Sequence, residues 1–226
     1  MPTTYLSHTQ VSLFQLCPRR YSYRYTEKLS TNSVGLEAIF SSDVLHPALE
    51  CTYTGFMPDW PALWAGYLEV AGSLAITKPA LSLSLAKSAY DRMLPLAEAD
   101  LVDYELEAVE EPEYFTVPDG GPAFVSKPDL VLRSRADGSL MPVDFKYSNR
   151  PDQLLPNFHN QFVGQAIAHN TNRVMVVSIS PVGKTGKAGI VRTVLNISDD
   201  IKQEWQAEMR VTHWMILWCD GSDTWP

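Results

Sequence analysis

The sequence predicts a mixed α/β fold, α+β in the order of its elements, with a central mixed sheet flanked by helices in a single domain covering 1–226. Three observations predict it. Apolar residues recur at helical spacing up to Leu106, strand-like runs parted by Gly- and Pro-containing turns follow Glu107, and helical and strand patterns then alternate from Phe158. At 226 residues with 45% hydrophobic composition, the chain is long enough to bury one sizeable core.

Within the mainly helical part, 1–106, Ser7 is the N-cap of a short helix through Val11, Leu13, Phe14 and Leu16, which Pro18 ends or redirects. Arg19, Arg20, Tyr21, Tyr23, Arg24 and Tyr25 follow at once. Cations mixed with rings suit a nucleic-acid backbone and its bases, which makes Arg19, Arg20, Tyr21 and Arg24 candidate contacts. Equally, the rings can simply anchor the first helix. From Val34 to Tyr53 the spacing is helical, Ser41, Ser42 or Asp43 can cap a restart, and Pro47 kinks or begins a helix. The stretch from Pro58 to Leu106 reads as two or more helices, an insertion whose function the residues do not reveal.

The sheet-bearing part, 107–219, starts with three expected strands: around Phe115 and Val117, from Phe124 to Leu132, and from Leu140 to Tyr147. The turns Pro118-Asp119-Gly120-Gly121 and Ala136-Asp137-Gly138 separate them, which predicts an antiparallel meander. Phe158 to Asn170 is helical, Val174 to Ile179 and Gly189 to Ile197 are strands, and Ser198 caps a closing helix towards Trp218. The tail 220–226 is expected to be loose.

A formal net charge of −8 argues against the broad basic surface of a non-specific nucleic-acid coat protein. It leaves room for a local basic patch and for clustered acids that bind a divalent cation. Cys17, Cys51 and Cys219 are odd in number and form no C-x-x-C pair, so reduced thiols are expected. No apolar run approaches the roughly 18–20 residues of a membrane span, and Met1 to Gln10 lacks a secretion pattern, which predicts a cytoplasmic protein without membrane contact.

The chemistry concentrates in Lys127-Pro128-Asp129 and, fifteen residues after Asp129, Asp144-Phe145-Lys146. Side chains alternate along a strand, so Asp144 and Lys146 share a face about 6–7 Å apart while Phe145 enters the opposite, core-facing layer. A hairpin through Asp137-Gly138 then sets Asp129 beside Asp144. Two adjacent carboxylates repel unless a cation lies between them, and hard oxygen donors suit Mg²⁺ or Mn²⁺. A D-x-K triplet alone is also what an ordinary surface ion pair looks like.

The surroundings of the triplet resemble the PD-(D/E)XK nuclease superfamily, in its RecB-type and CRISPR-associated exonuclease-like branch. That family has a serine-containing N-terminal helix, a Cys-Pro-Arg segment with basic and aromatic residues, a G-x-x-x-H-x-x-x-E-like helix, a helical insertion, an acid at a strand, D-x-K, and a helix with Gln-x-x-x-Tyr. Ser7 to Tyr25, His46, Asp129, Asp144-Phe145-Lys146 and Gln165 keep that order, Gln161 lying one turn before Gln165. The resemblance implies a restriction-endonuclease-like core with an N-terminal helical region and a DNA-hydrolysing nuclease, an exonuclease by its branch. It further implies metal held by His46, Asp129, Asp144 and the main-chain carbonyl of Phe145, with Asp129, Asp144, Lys146 and Gln165 as catalytic residues and Mg²⁺ or Mn²⁺ as cofactor.

Ser42 replaces the family's usual glycine, Pro47 follows the histidine, and His169 stands where tyrosine is common. Some members hold an iron-sulfur cluster with one cysteine near the N-terminus and three near the C-terminus; here Cys17 and Cys219 alone match those regions, so no cluster is expected. DNA, single-stranded or at its ends, is the implied substrate, and a larger repair, recombination or phage protein the implied partner. The competing reading is a non-catalytic nuclease-fold scaffold that binds a protein or a DNA end. A third is a hydrolase of another phosphodiester, which a narrow pocket in place of an open groove would mark.

Overall fold

A computed structural model describes residues 5–29, 36–72, 81–148, 159–182, 187–222 and 224–226. The expected helix starts at Val34 and Phe158 lie outside them. The chain opens on strand β1 (Leu6–Ser7) and helix α1 (His8–Leu16). Ser7 closes a capping box: its Oγ accepts from the Gln10 N–H at 3.3 Å, and the Gln10 side chain accepts from the Ser7 N–H at 2.8 Å. Cys17 is extended, as a residue before proline favours, and Pro18 starts a new helix, α2 (Pro18–Tyr21), continued by a π-helical turn at Ser22–Thr26.

Helix α3 (Leu36–Phe40) runs through a π-helical turn at Ser41–Leu45 into α4 (His46–Thr54). The expected capped restart at Ser41, Ser42 or Asp43 is corrected, because no side chain caps α4. Phe40, Val44, Leu45 and Leu49 are fully buried, so the chain stays helical across the turn to keep all four in the core. Pro47 falls in the first turn of α4, where its missing N–H costs nothing, and Gly55 at φ 75° ends the helix. Helices α5 (Trp60–Gly72) and α6 (Leu83–Asp103) follow, the latter capped by Ser82.

The strands are β2 (Tyr104–Val109), β3 (Glu113–Thr116), β4 (Ala123–Ser126), β5 (Leu130–Ser134), β6 (Leu140–Tyr147), β7 (Arg173–Val182) and β8 (Lys187–Asn196). Helix α7 (His159–Ala168) joins β6 to β7, and α8 (Asp199–Ser222) closes the chain, running past Trp218. Five strands form a mixed sheet in the order β2-β5-β6-β7-β8, in which only β6 and β7 are parallel; β1, β4 and β3 make a second sheet.

Two expectations are corrected here. The helical pattern read as far as Leu106 ends at Asp103, since Glu105 and Glu107 alternate outward along β2 and pair with Arg135, just past the end of β5, and with Arg133 of β5. The expected meander is also not one sheet. The run from Phe124 to Leu132 is two strands in different sheets, because Pro128 has no N–H to continue the ladder and Lys127-Pro128-Asp129 carries the chain across.

The five-stranded sheet lies between two cores. One face packs Leu130, Leu132, Met141, Val143, Phe145, Met175 and Val177 against α4 and α6; on the other, Val174 and Val176 meet α1, α7 and α8. Asp100 of α6 ties the first layer together, accepting from Tyr53 Oη at 2.7 Å and from Arg192 at 2.5 Å. Trp225 packs on Tyr21 with ring centroids 5.9 Å apart, so the expected loose tail is anchored at that residue. No helix among the described residues is long and apolar enough to cross a membrane.

Candidate active site

Register brings the acids together. Leu130 of β5 faces Val143 of β6, so one step further along the antiparallel pair Asp129 comes beside Asp144. The ladder stops at Leu130, which frees the Phe145 N–H to donate to Asp129 Oδ2 at 2.5 Å. Alternation on β6 sends Met141, Val143 and Phe145 into the core under α4, and turns Asp144 and Lys146 the other way.

Asp144 is 1% exposed. Its Oδ1 accepts from Gln161 Nε2 at 2.5 Å and Gln165 Nε2 at 2.9 Å, two side chains four residues apart on one face of α7. Its Oδ2 is ion-paired with Lys146 Nζ. His46, at the start of α4, places Nδ1 3.1 Å from Asp129 Oδ1 and Nε2 3.0 Å from Ser41 Oγ, with its ring edge-on to Phe145. The π-helical turn sets Ser41 in reach of the ring five residues later, and single π turns often serve functional sites this way.

The sequence reading missed two acids. Glu50 lies one turn after His46 on α4, and Glu110 follows β2, its N–H bonded to the Asp129 carbonyl at 2.9 Å. Glu50, Glu110 and Asp129 each offer an oxygen, and the three lie within 4.8 Å of one another. Lys127 Nζ meets Glu110 Oε2 at 2.8 Å, while Glu50 Oε1 is buried with no hydrogen-bond partner among the described residues. The histidine-to-glutamate spacing of four was a signal for Glu50, since it puts both side chains on one helix face. Nothing local marks Glu110.

The charges are strongly unequal. Burial and the neighbouring Glu110 and Asp129 push the Glu50 carboxyl up to about 7. Burial, reinforced by Asp129, also raises Asp144 above the usual carboxylate range despite Lys146. Burial opposes ionisation of Asp129 too, but the hydrogen bond and charge of His46, with Lys146 and the Phe145 N–H, hold it low. For His46, burial is outweighed by Asp129 and then Asp144, so the imidazole is raised. Carboxyls driven apart in this way within one cluster characterise sites that bind cations or move protons.

A cleft of about 180 Å³ opens beside Asp144, lined by Ser7, His8 and Thr9 at the start of α1, by Lys127, and by Gln161 and Gln165. Burial and then Lys146 bring His8 down to about 4, which keeps its imidazole neutral at physiological pH. Arg19, Arg20 and Arg24 are exposed beyond the other end of α1, roughly 13 Å along the helix from His8. Tyr21 differs from them. It is 6% exposed and packs among Phe14, Tyr25 and Trp225, so its expected nucleic-acid contact gives way to the anchoring role.

Among solved structures, the chain is similar to a candidate exonuclease of Eubacterium rectale, with a TM-score of 0.58 and 11% identity over 94% of this chain and 80% of that one. It is also similar to SSO0001 (TM-score 0.49, 15% identity, 96% of this chain and 76% of that one). An alkaline exonuclease of Laribacter hongkongensis gives a TM-score of 0.41 at 11% identity, over 78% and 91% of the two chains. No curated protein matches. The family model of the PD-(D/E)XK nuclease superfamily matches residues 5–212, a span that takes in the mixed sheet, α4 and α7, and the chain therefore belongs to that superfamily.

Proposed function

We propose that this nuclease is a Mg²⁺- or Mn²⁺-dependent deoxyribonuclease of the RecB-type branch, an exonuclease that hydrolyses phosphodiester bonds in DNA. On this reading it acts on single strands or DNA ends in the cytoplasm, in repair, recombination or phage- and CRISPR-related processing, alongside a larger protein partner. The observation that carries it is the meeting of Asp129, Asp144 and Lys146 at one end of β5 and β6, with His46 against Asp129. The Eubacterium rectale structure, named as a candidate exonuclease, supports the mode of attack.

The residues fit a divalent cation. Glu50, Glu110 and Asp129 crowd hard oxygens within 4.8 Å of one another, and Glu50 Oε1 is a buried oxygen with no hydrogen-bond partner among the described residues. His46, Asp129, Asp144 and the Phe145 carbonyl would hold the ion, with Glu50 adding an oxygen. A bound Mg²⁺ or Mn²⁺ supplies Lewis-acid polarisation of the scissile phosphate and lowers the pKa of an adjacent water.

The chain's own groups do the rest. Gln161 and Gln165 fix Asp144 by one oxygen and Lys146 by the other, so the carboxylate cannot rotate. Lys146 places a positive charge where the phosphate gains negative charge and holds the attacking water in line. Ser41 fixes the His46 ring through Nε2. The start of α1 faces the cleft with a helix N-terminus suited to phosphate oxygens, and Arg19, Arg20 and Arg24 extend that attraction along a strand.

The test is cleavage of end-labelled single- and double-stranded DNA with Mg²⁺, Mn²⁺ or EDTA, for wild type and Asp144→Ala. Cleavage that requires metal and falls at least about a hundredfold in the variant is expected. Equal cleavage in EDTA, or by the variant, contradicts the proposal.

A further inference from the structure

Helix α8 has two apolar faces. Trp205, Met209, Thr212, Ile216 and Cys219 are buried against the body of the protein. Its C-terminal half carries a second face turned outward: Val211 is 58% exposed, Trp214 65%, Met215 40%, Leu217 55% and Trp218 53%. Positions 211, 214, 215 and 218 follow the i, i+3, i+4, i+7 spacing of a helix seam. A surface helix in contact with water alone has no reason to carry such a stripe, and two tryptophans one turn apart mark an interaction site.

We infer that this stripe is a self-association surface, on which α8 of a second copy of the chain packs about a two-fold axis. Area supports the inference. Rings that each bury 150–250 Å², here more than half exposed, give with Val211, Met215 and Leu217 roughly 550 Å² per copy. Two copies thus remove up to about 1,100 Å², the size of a weak, reversible interface and above most chance contacts.

Charge supports it too. The chain carries a net −8, so two copies repel across most of their surface, yet no Asp, Glu, Lys or Arg lies between Arg210 and Asp220. The same gap disfavours nucleic acid, whose stacking platforms need cations beside the rings. A single stripe of this spacing is self-complementary, each copy setting its tryptophans into the spaces beside Val211 and Met215 of the other.

The test is sedimentation velocity of the full chain in EDTA without DNA, over a dilution series reaching about 100 μM, above the micromolar dissociation constants typical of an interface this size. A reversible shift to twice the chain mass is expected, together with at least about tenfold weaker association in the double variant Trp214→Ser, Trp218→Ser. Both side chains are more than half exposed, so the variant keeps its fold, which circular dichroism checks. Wild type that stays monomeric across the series overturns the inference without reference to any variant, and so does a double variant that associates like wild type.

Discussion

Replacing Glu50 with Gln removes one charge from the acid cluster while preserving the shape of the side chain. In the metal-free protein the Glu50 carboxyl is held at about 7, against an ordinary 4.5, by burial and by Glu110 and Asp129. The folded state therefore keeps its proton where the unfolded state has lost it, and stability falls as pH rises from about 4.5 to about 7 and is level above. For a fully enclosed group this displacement corresponds to about 3.4 kcal/mol. Glu50 is half-buried, and screening by solvent reduces the effect to about 1–2 kcal/mol. Glutamine carries no such penalty. In EDTA at pH 8 the variant should melt roughly 2–8 °C above wild type, and near pH 4.5 the two should coincide. Saturating Mn²⁺ should narrow or reverse the gap, since an ion bound to the folded state stabilises wild type more. Thermal melts followed by circular dichroism in EDTA provide the measurement. A Glu50→Gln variant that is less stable than wild type at pH 8 in EDTA, or equally displaced at both pH values, refutes the reasoning.

Further substitutions probe other parts of the account. Asp100→Ala strips both Arg192 and the Tyr53 hydroxyl of their shared partner between α4, α6 and β8, and should cost about 3 kcal/mol in urea denaturation, against about 1 kcal/mol for Tyr53→Phe. Gly121→Ala puts a Cβ 2.6 Å from the Val117 side chain and should destabilise by about 1–3 kcal/mol. Gly66→Ala, in α5 with nothing within 4 Å, should stabilise by up to about 1 kcal/mol in the same assay. Gln161→Ala removes one of the two amides that fix Asp144 and should slow DNA cleavage about tenfold with little change in melting temperature.

The readable parts of the sequence were those where chemistry is local. Ser7 three residues before Gln10 announces a capping box, and strand alternation alone separates Asp144 and Lys146 from Phe145. The unreadable parts depend on partners distant in sequence. Tyr104 to Val109 alternates like a strand, but α6 runs into it with no Gly or Pro between, so the helical pattern masked it. Phe124 to Leu132 reads as one apolar run because only three residues mark the passage from one sheet to the other. Glu110 joins the site through β2, which the sequence hid, and Tyr21 is withdrawn from the surface by Trp225, some two hundred residues away. Glu50 was within reach, since the distance from His46 to Glu50 is one helical turn.

The central claim is that one site both holds the metal and drives hydrolysis, and Lys146→Ala tests it most directly because the lysine is charged with catalysis and touches the ion's ligand Asp144 without being a ligand itself. Mn²⁺ titration by calorimetry, paired with single-turnover cleavage of end-labelled DNA, reads the two roles separately. Mn²⁺ affinity within a few-fold of wild type, with cleavage slowed at least about a hundredfold, is the predicted result. A Lys146→Ala protein that binds Mn²⁺ and cleaves DNA at the wild-type rate would contradict it.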